Sequence, residues 1–365
     1  YLMKFDITFI YSGGRTNKFN SISSNDFFYG FKEYVILGIN ATFIELSNEK
    51  TNIFDKLIVK ITKLPFYLFK SLSVKNFKVL INSKNLIFIN ESSFISFLPL
   101  IFICKKFYSI NINYFPMGLV DKYKKGNWLS RKIVKLCFKH SDNILFIGKG
   151  ELKAAKKSIK IFSQKYTYIP FSVDLGHWTY NQKKSPQLKE ILFIGNDLNR
   201  DFELLYSIAK KYKEYNFTIV SNYDKYDFKN LKNVKFLKGN LRENILSDNQ
   251  IKTLYHNADL VILPLKRSTQ PSGQSVAIQS MSSGTPVLMT KTIGFWDNKN
   301  FIESKNILFV DGHELESWDT KFSQLSNNLD ILTSVSAEGR KLVEESHDLN
   351  DFVSTLSNYL VEIEL

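Results

Sequence analysis

Short apolar runs alternate with longer amphipathic segments along the whole chain. The runs MKFDITFIYSGG, ATFIEL, NLIFIN and NILFIG are rich in β-branched and aromatic residues, as is typical of strands buried on both faces. The same alternation resumes with EILFIGN and continues through FTIVSN, VKFLKGN, DLVILPL and PVLMT. Two successive sets of alternating strands and helices predict an α/β protein with two doubly wound, Rossmann-like domains.

The segments between these runs have the spacing of helices. In NDFFYGFKEYVILGI we expect Asn25 or Asp26 to cap the helix. FDKLIVKITKLPFYLFKSL predicts a basic, apolar helix broken near Pro65, and a further helix is expected from Trp128 to His140. FKVLIN and YSININ are interpreted as strands. The apolar run that begins at Ser93 is too short to span a bilayer, so a buried helix is expected.

The polar segment HWTYNQKKSPQ separates the two sets and predicts a linker. We therefore place the domains at residues 3–176 and 185–345. The last segment, 346–365, predicts an amphipathic helix that packs back towards the first domain.

Charge divides between the same two halves. Residues 1–185 carry 29 Lys and Arg against 11 Asp and Glu, whereas the remainder carries 20 against 24. A whole basic domain indicates a face that meets an anionic partner, either nucleic acid or lipid headgroups. Cys104 and Cys137 lie in apolar surroundings without metal-ligand neighbours. Both are expected to be buried free thiols in a reducing compartment.

Candidate chemistry is concentrated in LPLKRSTQPSGQSVAIQSMSSGTPV, residues 263–287. A strand is followed by a polar loop that enters a helix at Ser272 and Gly273. Free backbone N–H groups and the positive end of the helix dipole favour an anion there, and Gly273 allows close approach to the backbone. Lys266 and Arg267 add positive charge. An ordinary βαβ crossover with a polar loop is the alternative interpretation.

This stretch resembles the donor-site helix of glycosyltransferase family 4 and its relatives with the GT-B fold. YIPFSVD resembles the hinge of that family, and ILFIGNDLNRDFELL resembles the start of its second domain. FLKGN and QIKTLYHNADLVILP resemble the turn, helix and strand that lead to the donor loop. The resemblance covers residues 165–310 in order, while in the first domain it rests on Gly13 and Gly14 after the first strand.

Two departures concern the donor site. The family has two glutamates separated by seven residues, where this chain has Pro271 and Gln279. The Arg and Lys of the usual diphosphate clamp fall on Asn196 and Asp201. Arg200 and Lys266 are therefore the expected substitutes, although Arg200 is equally interpreted as a solvated residue at a helix start.

The resemblance implies transfer of a hexosyl group from a nucleotide sugar with retention of configuration. The leaving diphosphate would be stabilised by the N-terminus of the helix that begins near Gly273, together with Lys266 and Arg200. The sequence contains no Asp-x-Asp motif or histidine cluster, so we expect no metal and no other cofactor. The predicted donor-binding residues are Gly13, Gly14, Asn196, Gly239, Asn240, Gln270, Ser272, Gly273, Gln274, Ser275 and Gln279.

The resemblance also implies that the acceptor is a lipid or a lipid-linked saccharide. Glu91 either contacts the acceptor, acts as a base, or caps a helix. Lysine mixed with Phe, Leu and Trp in the first domain is typical of a helix lying on anionic lipid, although two ordinary surface helices would have the same pattern. These features predict a peripheral protein on the cytoplasmic face of the cell membrane.

Three alternatives stay open at the level of sequence. A nucleic-acid-binding protein would account for the positive charge, but no helix-turn-helix, zinc knuckle or RNA-binding aromatic motif is present. A nucleotide-sugar epimerase would need acidic catalysts that the sequence does not place. A catalytically degenerate GT-B module that binds a sugar or a partner is suggested by Pro271 and Gln279.

Overall fold

The computed structural model of the chain describes residues 5–19, 23–46, 52–181, 187–239 and 245–363. Two parallel sheets of six strands each form the framework, in the orders β2-β1-β3-β4-β5-β6 and β12-β11-β10-β7-β8-β9. The predicted pair of doubly wound domains is thus confirmed. The strands of the first sheet are β1 (Phe5–Tyr11), β2 (Ala41–Glu45), β3 (Ser83–Ile89), β4 (Asn111–Phe115), β5 (Asn143–Phe146) and β6 (Tyr166–Tyr168).

Helices cover both faces of the first sheet. They are α1 (Thr16–Phe19), α2 (Phe31–Ile36), α3 (Ile53–Thr62), α4 (Leu68–Ser71), α5 (Val74–Ile81), α6 (Glu91–Phe107), α7 (Leu119–Lys125), α8 (Trp128–His140) and α9 (Lys149–Ser158). Short 3-10 turns occupy Asp26–Phe28 and Lys160–Lys165. Cys104 and Cys137 are buried and free, as predicted.

The second sheet comprises β7 (Glu190–Ile194), β8 (Asn216–Val220), β9 (Val234–Leu237), β10 (Leu260–Leu263), β11 (Val287–Thr290) and β12 (Leu308–Val310). Its helices are α10 (Phe202–Lys211), α11 (Asp248–Asn257), α12 (Gln274–Ser282), α13 (Leu315–Asn327), α14 (Asp330–Ser346) and α15 (Leu349–Ser357), with a 3-10 turn at Phe228–Asn230.

The last helix returns to the first domain, as the sequence predicts. Tyr34 of α2 donates its hydroxyl hydrogen bond to the carbonyl oxygen of Val353 at 3.1 Å. Beyond α15, the side-chain amide of Asn111 in β4 donates to the carbonyl oxygen of Tyr359 at 2.7 Å. Apolar side chains of both domains form one continuous core around Trp178 and Phe352. The two domains therefore share one apolar core.

Two local predictions are wrong. FKVLIN was expected to be a strand, but it lies in α5 and the turn that follows. Ser73 caps this helix, since its hydroxyl accepts the backbone N–H of Asn76 at 3.1 Å. NDFFYGFKEYVILGI was expected to form one helix, but Tyr29 and Gly30, with φ of 51° and 88°, interrupt it. Asn25 and Asp26 cap no helix with their side chains.

Candidate functional site

The candidate site lies at the carboxyl end of the second sheet, between β7 and β10. The strand order reverses at this pair, and open α/β sheets bind ligands at such switch points. The loop after β7 and the loop after β10 are joined by two backbone hydrogen bonds. Lys266 N–H donates to Asn199 at 2.8 Å, and Asp201 N–H donates to Pro264 at 2.9 Å. The two loops therefore form one continuous wall of the candidate site.

Arg200 is buried in this wall, with 3% of its surface exposed. Its Nε and Nη1 have no hydrogen-bond partner among the residues that the structure describes. Arg200 forms a long ion pair with Asp197, whose Oδ2 lies 3.6 Å from Nε, beyond hydrogen-bonding distance. Two buried guanidinium nitrogens without hydrogen-bond acceptors are costly. The arrangement is suited to an anionic ligand that supplies the missing acceptors.

Two glycines make room for this guanidinium. A Cβ at Gly195 would overlap Arg200 Nε, and a Cβ at Gly273 would lie 3.1 Å from Nη1. Gly273 also adopts a φ of 84° immediately before α12 and provides no capping side chain. Arg200 is therefore brought to the N-terminus of α12, where backbone N–H groups and the helix dipole favour negative charge. Arg200 and the N-terminus of α12, two of the groups predicted to stabilise the diphosphate, therefore lie side by side.

A residue that the sequence analysis missed, Asn199, orders the loop before α12. Its side-chain amide donates to Gln270 Oε1 at 3.0 Å and to the Ser272 hydroxyl at 2.9 Å. Lys266 is exposed on the same wall, and no ion pair between described residues involves it. Asn199 is adjacent to Arg200 in sequence, but its contacts lie about 70 residues away, so no local signal indicates its role.

Asn196 joins the ends of three strands. Its side-chain amide donates to the carbonyl oxygen of Gly239 at 2.8 Å, and its Oδ1 accepts the backbone N–H of Asn222 at 2.6 Å. Asn222 in turn accepts the N–H of Gly239 at 3.0 Å. Asn196 therefore shapes the turn predicted to lie beside the nucleotide base. Asn240 lies outside the described residues.

Ser275 and Gln279 lie one turn apart on α12 and are both half-buried. The Gln279 amide donates to Asp26 Oδ2 at 2.8 Å, and Tyr255 donates to Gln279 Oε1 at 3.3 Å. Gln279 thus reaches across the cleft to the first domain. In this conformation its hydrogen-bonding groups are engaged with the protein.

Asp26 is a second residue whose role the sequence did not reveal. Its buried carboxylate accepts the N–H of Asp174 at 2.5 Å and the indole N–H of Trp178 at 2.6 Å, besides the Gln279 amide. Burial raises the pKa of this carboxyl, while the hydrogen bonds oppose the shift. Asp26 therefore connects the first domain to the hinge and to α12.

The donor loop is also held by the first domain. Asp121 in α7 accepts the backbone N–H of Thr269 at 3.1 Å and the hydroxyl of Ser268 at 3.2 Å. Gln274 is 4% exposed and donates to the carbonyl oxygen of Ile147 at 2.9 Å. Pro271 packs on Gly148, where a Cβ would lie 2.9 Å from its ring. The loop that carries the predicted donor residues is thus part of the domain interface.

Gly13 and Gly14 are buried at the end of β1, at the switch point of the first sheet. Gly14 has a φ of 86°, and Arg15 Nη1 donates to the carbonyl oxygen of Gly13 at 2.7 Å. Lys18 forms an ion pair of 2.7 Å with Asp248 of α11, and both are nearly completely buried. The segment after β1 therefore contacts the second domain.

Glu91 begins α6, is 7% exposed and pairs with Lys122 of α7. Its second oxygen is buried without a hydrogen-bond partner among the described residues. The helix cap is Asn90, whose Oδ1 accepts Ser93 N–H at 3.1 Å. Nearby Glu151 accepts the N–H groups of Gly118 and Val120 at 2.9 and 3.4 Å. Burial, assisted by the charge of Glu91, raises the pKa of Glu151 to about 8.

Comparison with solved structures identifies the architecture. Sucrose-phosphate synthase from Thermosynechococcus elongatus superposes with a TM-score of 0.72 at 12% identity, covering 97% of this chain and 98% of the other. Anabaena HepE, in complex with UDP-glucose, gives 0.70 at 13% identity, covering 98% and 100%. The lipopolysaccharide outer core galactosyltransferase WaaB gives 0.60 at 13% identity, covering 97% and 99%.

Sequence comparison adds no further assignment, since no family model and no curated protein sequence matches the chain. The structural likeness extends over nearly the whole length of each neighbour. It covers both domains. The chain therefore has the GT-B fold.

Proposed function

We propose that this protein is a glycosyltransferase that moves a sugar from a nucleoside diphosphate sugar to an acceptor. The observation that carries the proposal is the buried guanidinium of Arg200 at the N-terminus of α12, whose Nε and Nη1 have no hydrogen-bond partner among the described residues. Transfer leaves a nucleoside diphosphate, on which negative charge develops as the glycosidic bond breaks. Arg200, the α12 N-terminus and exposed Lys266 would stabilise that charge. The neighbours include a protein bound to UDP-glucose and a galactosyltransferase, which supports this donor class.

The finer chemistry is proposed on the same basis. Transfer proceeds without a metal ion, because positive charge for the diphosphate is supplied by side chains and a helix N-terminus. The transferred group is a hexosyl group, and its anomeric configuration is retained, as the resemblance to glycosyltransferase family 4 implies. The acceptor is a lipid or a lipid-linked saccharide on the cytoplasmic face of the membrane. Glu91, with one oxygen free of hydrogen bonds to described residues, contacts that acceptor.

The donor assignment is tested by nucleotide binding. Melting temperatures are measured with UDP, GDP, ADP, dTDP and CMP, each with and without EDTA. We expect one diphosphate to stabilise the protein equally in both conditions, and the effect to be lost in Arg200→Ala and reduced in Lys266→Ala. Arg131→Ala, a change of an exposed arginine on α8, is the matched control. Absence of a shift with every nucleotide would overturn the donor assignment.

The transfer itself is tested with the nucleotide sugar selected by that panel. Radiolabelled sugar is expected to enter the organic phase of a bacterial lipid extract, at an equal rate with EDTA present. The anomeric configuration of the product, read from its proton coupling constant, is expected to match that of the donor. Inversion would exclude the proposed stereochemistry, and inhibition by EDTA would exclude metal independence.

A degenerate GT-B module is the second candidate, and one observation favours it. Gln279 is held by Asp26 and Tyr255, and Pro271 is packed on Gly148. The two positions occupied by glutamates in the resembled family are thus both engaged in the domain interface. Nucleotide-sugar binding without transfer to any acceptor, and without hydrolysis, would favour this candidate.

A further inference from the structure

Exposed apolar side chains are concentrated on the basic domain. Among the described residues, 23 large apolar side chains are exposed, and 17 of them precede residue 177. The same half of the chain carries an excess of positive charge, with 29 Lys and Arg against 11 Asp and Glu. Scattered single apolar residues are normal on a protein surface, whereas a contiguous apolar patch marks an interaction site.

Helix α3 carries five of these 17 exposed apolar side chains. It rests on the protein through Asp55 and Thr62, which are 1% and 3% exposed, and Asp55 accepts the N–H of Leu68 at 3.1 Å. The opposite side of the helix is apolar and faces solvent. At 100° per residue its members form one stripe: Ile53, Phe54, Leu57 and Ile61 are 82%, 64%, 52% and 50% exposed.

Lysines border the stripe along one edge. Lys56 and Lys60 precede it around the helix axis and are exposed, and Lys63 follows the last turn. A wide apolar face beside a row of lysines is the composition of a helix that lies in the plane of a lipid headgroup layer. A helix that bound a polyanion alone would need no apolar stripe.

The start of α8 extends the same surface. Asn127 donates its side-chain amide hydrogen bond to the carbonyl oxygen of Ile61 at 2.8 Å, and Ser130 donates to that of Thr62. These bonds fix Trp128, which is 74% exposed, beside the end of the stripe. Exposed basic residues surround it: Lys124, Lys125, Arg131 and Lys132. Tryptophan is the side chain best suited to the boundary between headgroups and acyl chains.

We propose that this α3 surface, comprising Ile53, Phe54, Leu57, Ile61 and Trp128 with Lys56, Lys60 and Lys63, lies in the plane of an anionic lipid bilayer. The apolar stripe enters the boundary of the acyl chains, and the lysines contact anionic headgroups. No helix among the described residues is long and apolar enough to cross a membrane. Helix α3 has 10 residues, about half of what a spanning helix needs, and is a surface anchor in this proposal. The inference deepens the proposed lipid acceptor, since it names the face that approaches the lipid.

Binding is measured by sedimentation with sucrose-loaded vesicles. One set contains phosphatidylcholine alone, and the other contains 30% phosphatidylglycerol. The full chain is expected to bind the anionic vesicles at least tenfold more strongly at low salt, with binding weakened by added salt. Equal binding to both vesicles, or to neither, would overturn the proposal. Binding to single-stranded RNA but to neither vesicle would assign the basic surface to nucleic acid.

Trp128 is a built-in probe of insertion. The other three tryptophans, Trp178, Trp296 and Trp318, are at most 1% exposed, so a change in emission on vesicle binding reports Trp128. A blue shift and quenching by brominated acyl chains are expected, and both should vanish in Trp128→Phe. Vesicle binding without either change would show that the α3 surface is not the face that enters the lipid.

Paired variants separate charge from apolar insertion. Lys56→Glu with Lys60→Glu is expected to weaken binding to anionic vesicles about tenfold or more, because each lysine near the surface contributes to the attraction. The control is Lys229→Glu with Lys232→Glu, which makes the same change in net charge at exposed positions of the second domain. It should bind anionic vesicles as strongly as the unmodified protein does. Phe54→Ser with Leu57→Ser is expected to abolish the quenching.

The outcome is independent of the donor site. Each surface variant is expected to keep the nucleotide-induced thermal shift, which also shows that it is folded. The proposal is supported if the α3 variants lose vesicle binding but keep the nucleotide-induced thermal shift, while the Lys229→Glu with Lys232→Glu control keeps both. A failed vesicle experiment beside a normal nucleotide shift rejects the surface and leaves the donor assignment standing. Vesicle binding without any nucleotide-induced shift rejects the donor assignment and leaves the α3 surface standing.

Discussion

Arg200 is unusual because two of its nitrogens are buried without an acceptor among the described residues. In the absence of ligand this charge should oppose folding, since it is buried and its only ion pair among the described residues is the long one with the exposed Asp197. Arg200→Met keeps most of the volume and removes the charge. We expect it to raise the unfolding free energy of the ligand-free protein by about 1 kcal/mol or more. It should also abolish stabilisation by nucleotide, as measured by urea unfolding with and without the diphosphate.

Arg340 provides the matched control. Its Nη1 donates to the carbonyl oxygens of Trp178 and Ser282 at 3.0 and 2.7 Å. Arg340→Met removes these bonds and should lower the unfolding free energy while leaving nucleotide binding intact. If Arg200→Met destabilised the ligand-free protein as Arg340→Met does, Arg200 would be a structural residue.

Glu151 makes stability depend on pH. Burial raises the pKa of Glu151 in the folded protein to about 8, from an ordinary value of 4.5. Between these values the folded state binds a proton that the unfolded chain has released, so the unfolding free energy falls as pH rises through this window. Glu151→Gln keeps an acceptor for Gly118 and Val120 and cannot ionise. It is expected to reduce this decline in urea titrations from pH 5 to 8.

The comparison for Glu151 is an exposed carboxylate. Glu316 lies on the surface at the start of α13, and Glu316→Gln should leave the pH profile unchanged. A decline of the same size in Glu151→Gln and in the unmodified protein would show that another group is responsible.

The sequence predicts the role of a residue well only when the pattern that reveals that role lies nearby in the chain. Arg200 was found because it lies five residues after Gly195, in a stretch with a recognisable pattern. Asp26 and Asp121 were not found, because their partners Gln279 and Thr269 are 253 and 148 residues away. Nothing in the local sequence distinguishes an acid that crosses a domain interface from one that caps a helix.

At the scale of elements, long periodic segments were predicted correctly and short apolar runs were not. The helix from Trp128 to His140 coincides with α8, since its apolar spacing persists for several turns. FKVLIN contains too few residues to distinguish a helical period from a strand. In the structure this segment is helical: Ser73 caps the start of α5, and Leu80 on α5 is buried in the core. The site helix α12 was predicted because Gly273 and Gly284 mark both of its ends.

The junction of α2 and α15 can be tested through a glycine. Gly30 has a φ of 88°, and a Cβ there would lie 2.8 Å from Val353 Cγ2. Gly38 has a similar φ of 80° with nothing within 4 Å. Gly38→Ala should cost about 1 kcal/mol of unfolding free energy from backbone strain alone. Gly30→Ala should cost about 1–3 kcal/mol more, because α15 must shift.

Urea unfolding of the two variants measures this difference. The excess cost in Gly30→Ala reports the packing of the last helix on the first domain. Equal costs for the two substitutions would mean that α15 is not held tightly against α2 in solution.

At the scale of the whole molecule, two domains meet through polar contacts around the candidate site. Three pairs join them: Asp26 with Gln279, Asp121 with Thr269, and Lys149 with Asp297 at 2.7 Å. Sequence periodicity predicted both sheets, because each is built from contiguous segments. It could not predict their relative position, which depends on pairs of residues far apart in the chain. The structure therefore shows two domains that are hydrogen-bonded to each other around the candidate site.

The ion pair between Lys18 and Asp248 is the most deeply buried of these contacts, with side chains 2% and 7% exposed. Removing one partner leaves the other charge buried, which typically costs about 3–5 kcal/mol. Lys18→Met is therefore expected to destabilise the closed arrangement and to increase the radius of gyration in small-angle X-ray scattering. Lys18→Met with Asp248→Leu removes both charges and should recover much of the unfolding free energy, since an apolar pair often replaces a buried ion pair without loss. Strictly additive effects of the two substitutions would show that the charges do not interact in solution, and that the domains are held closed by the apolar layer around Trp178 alone.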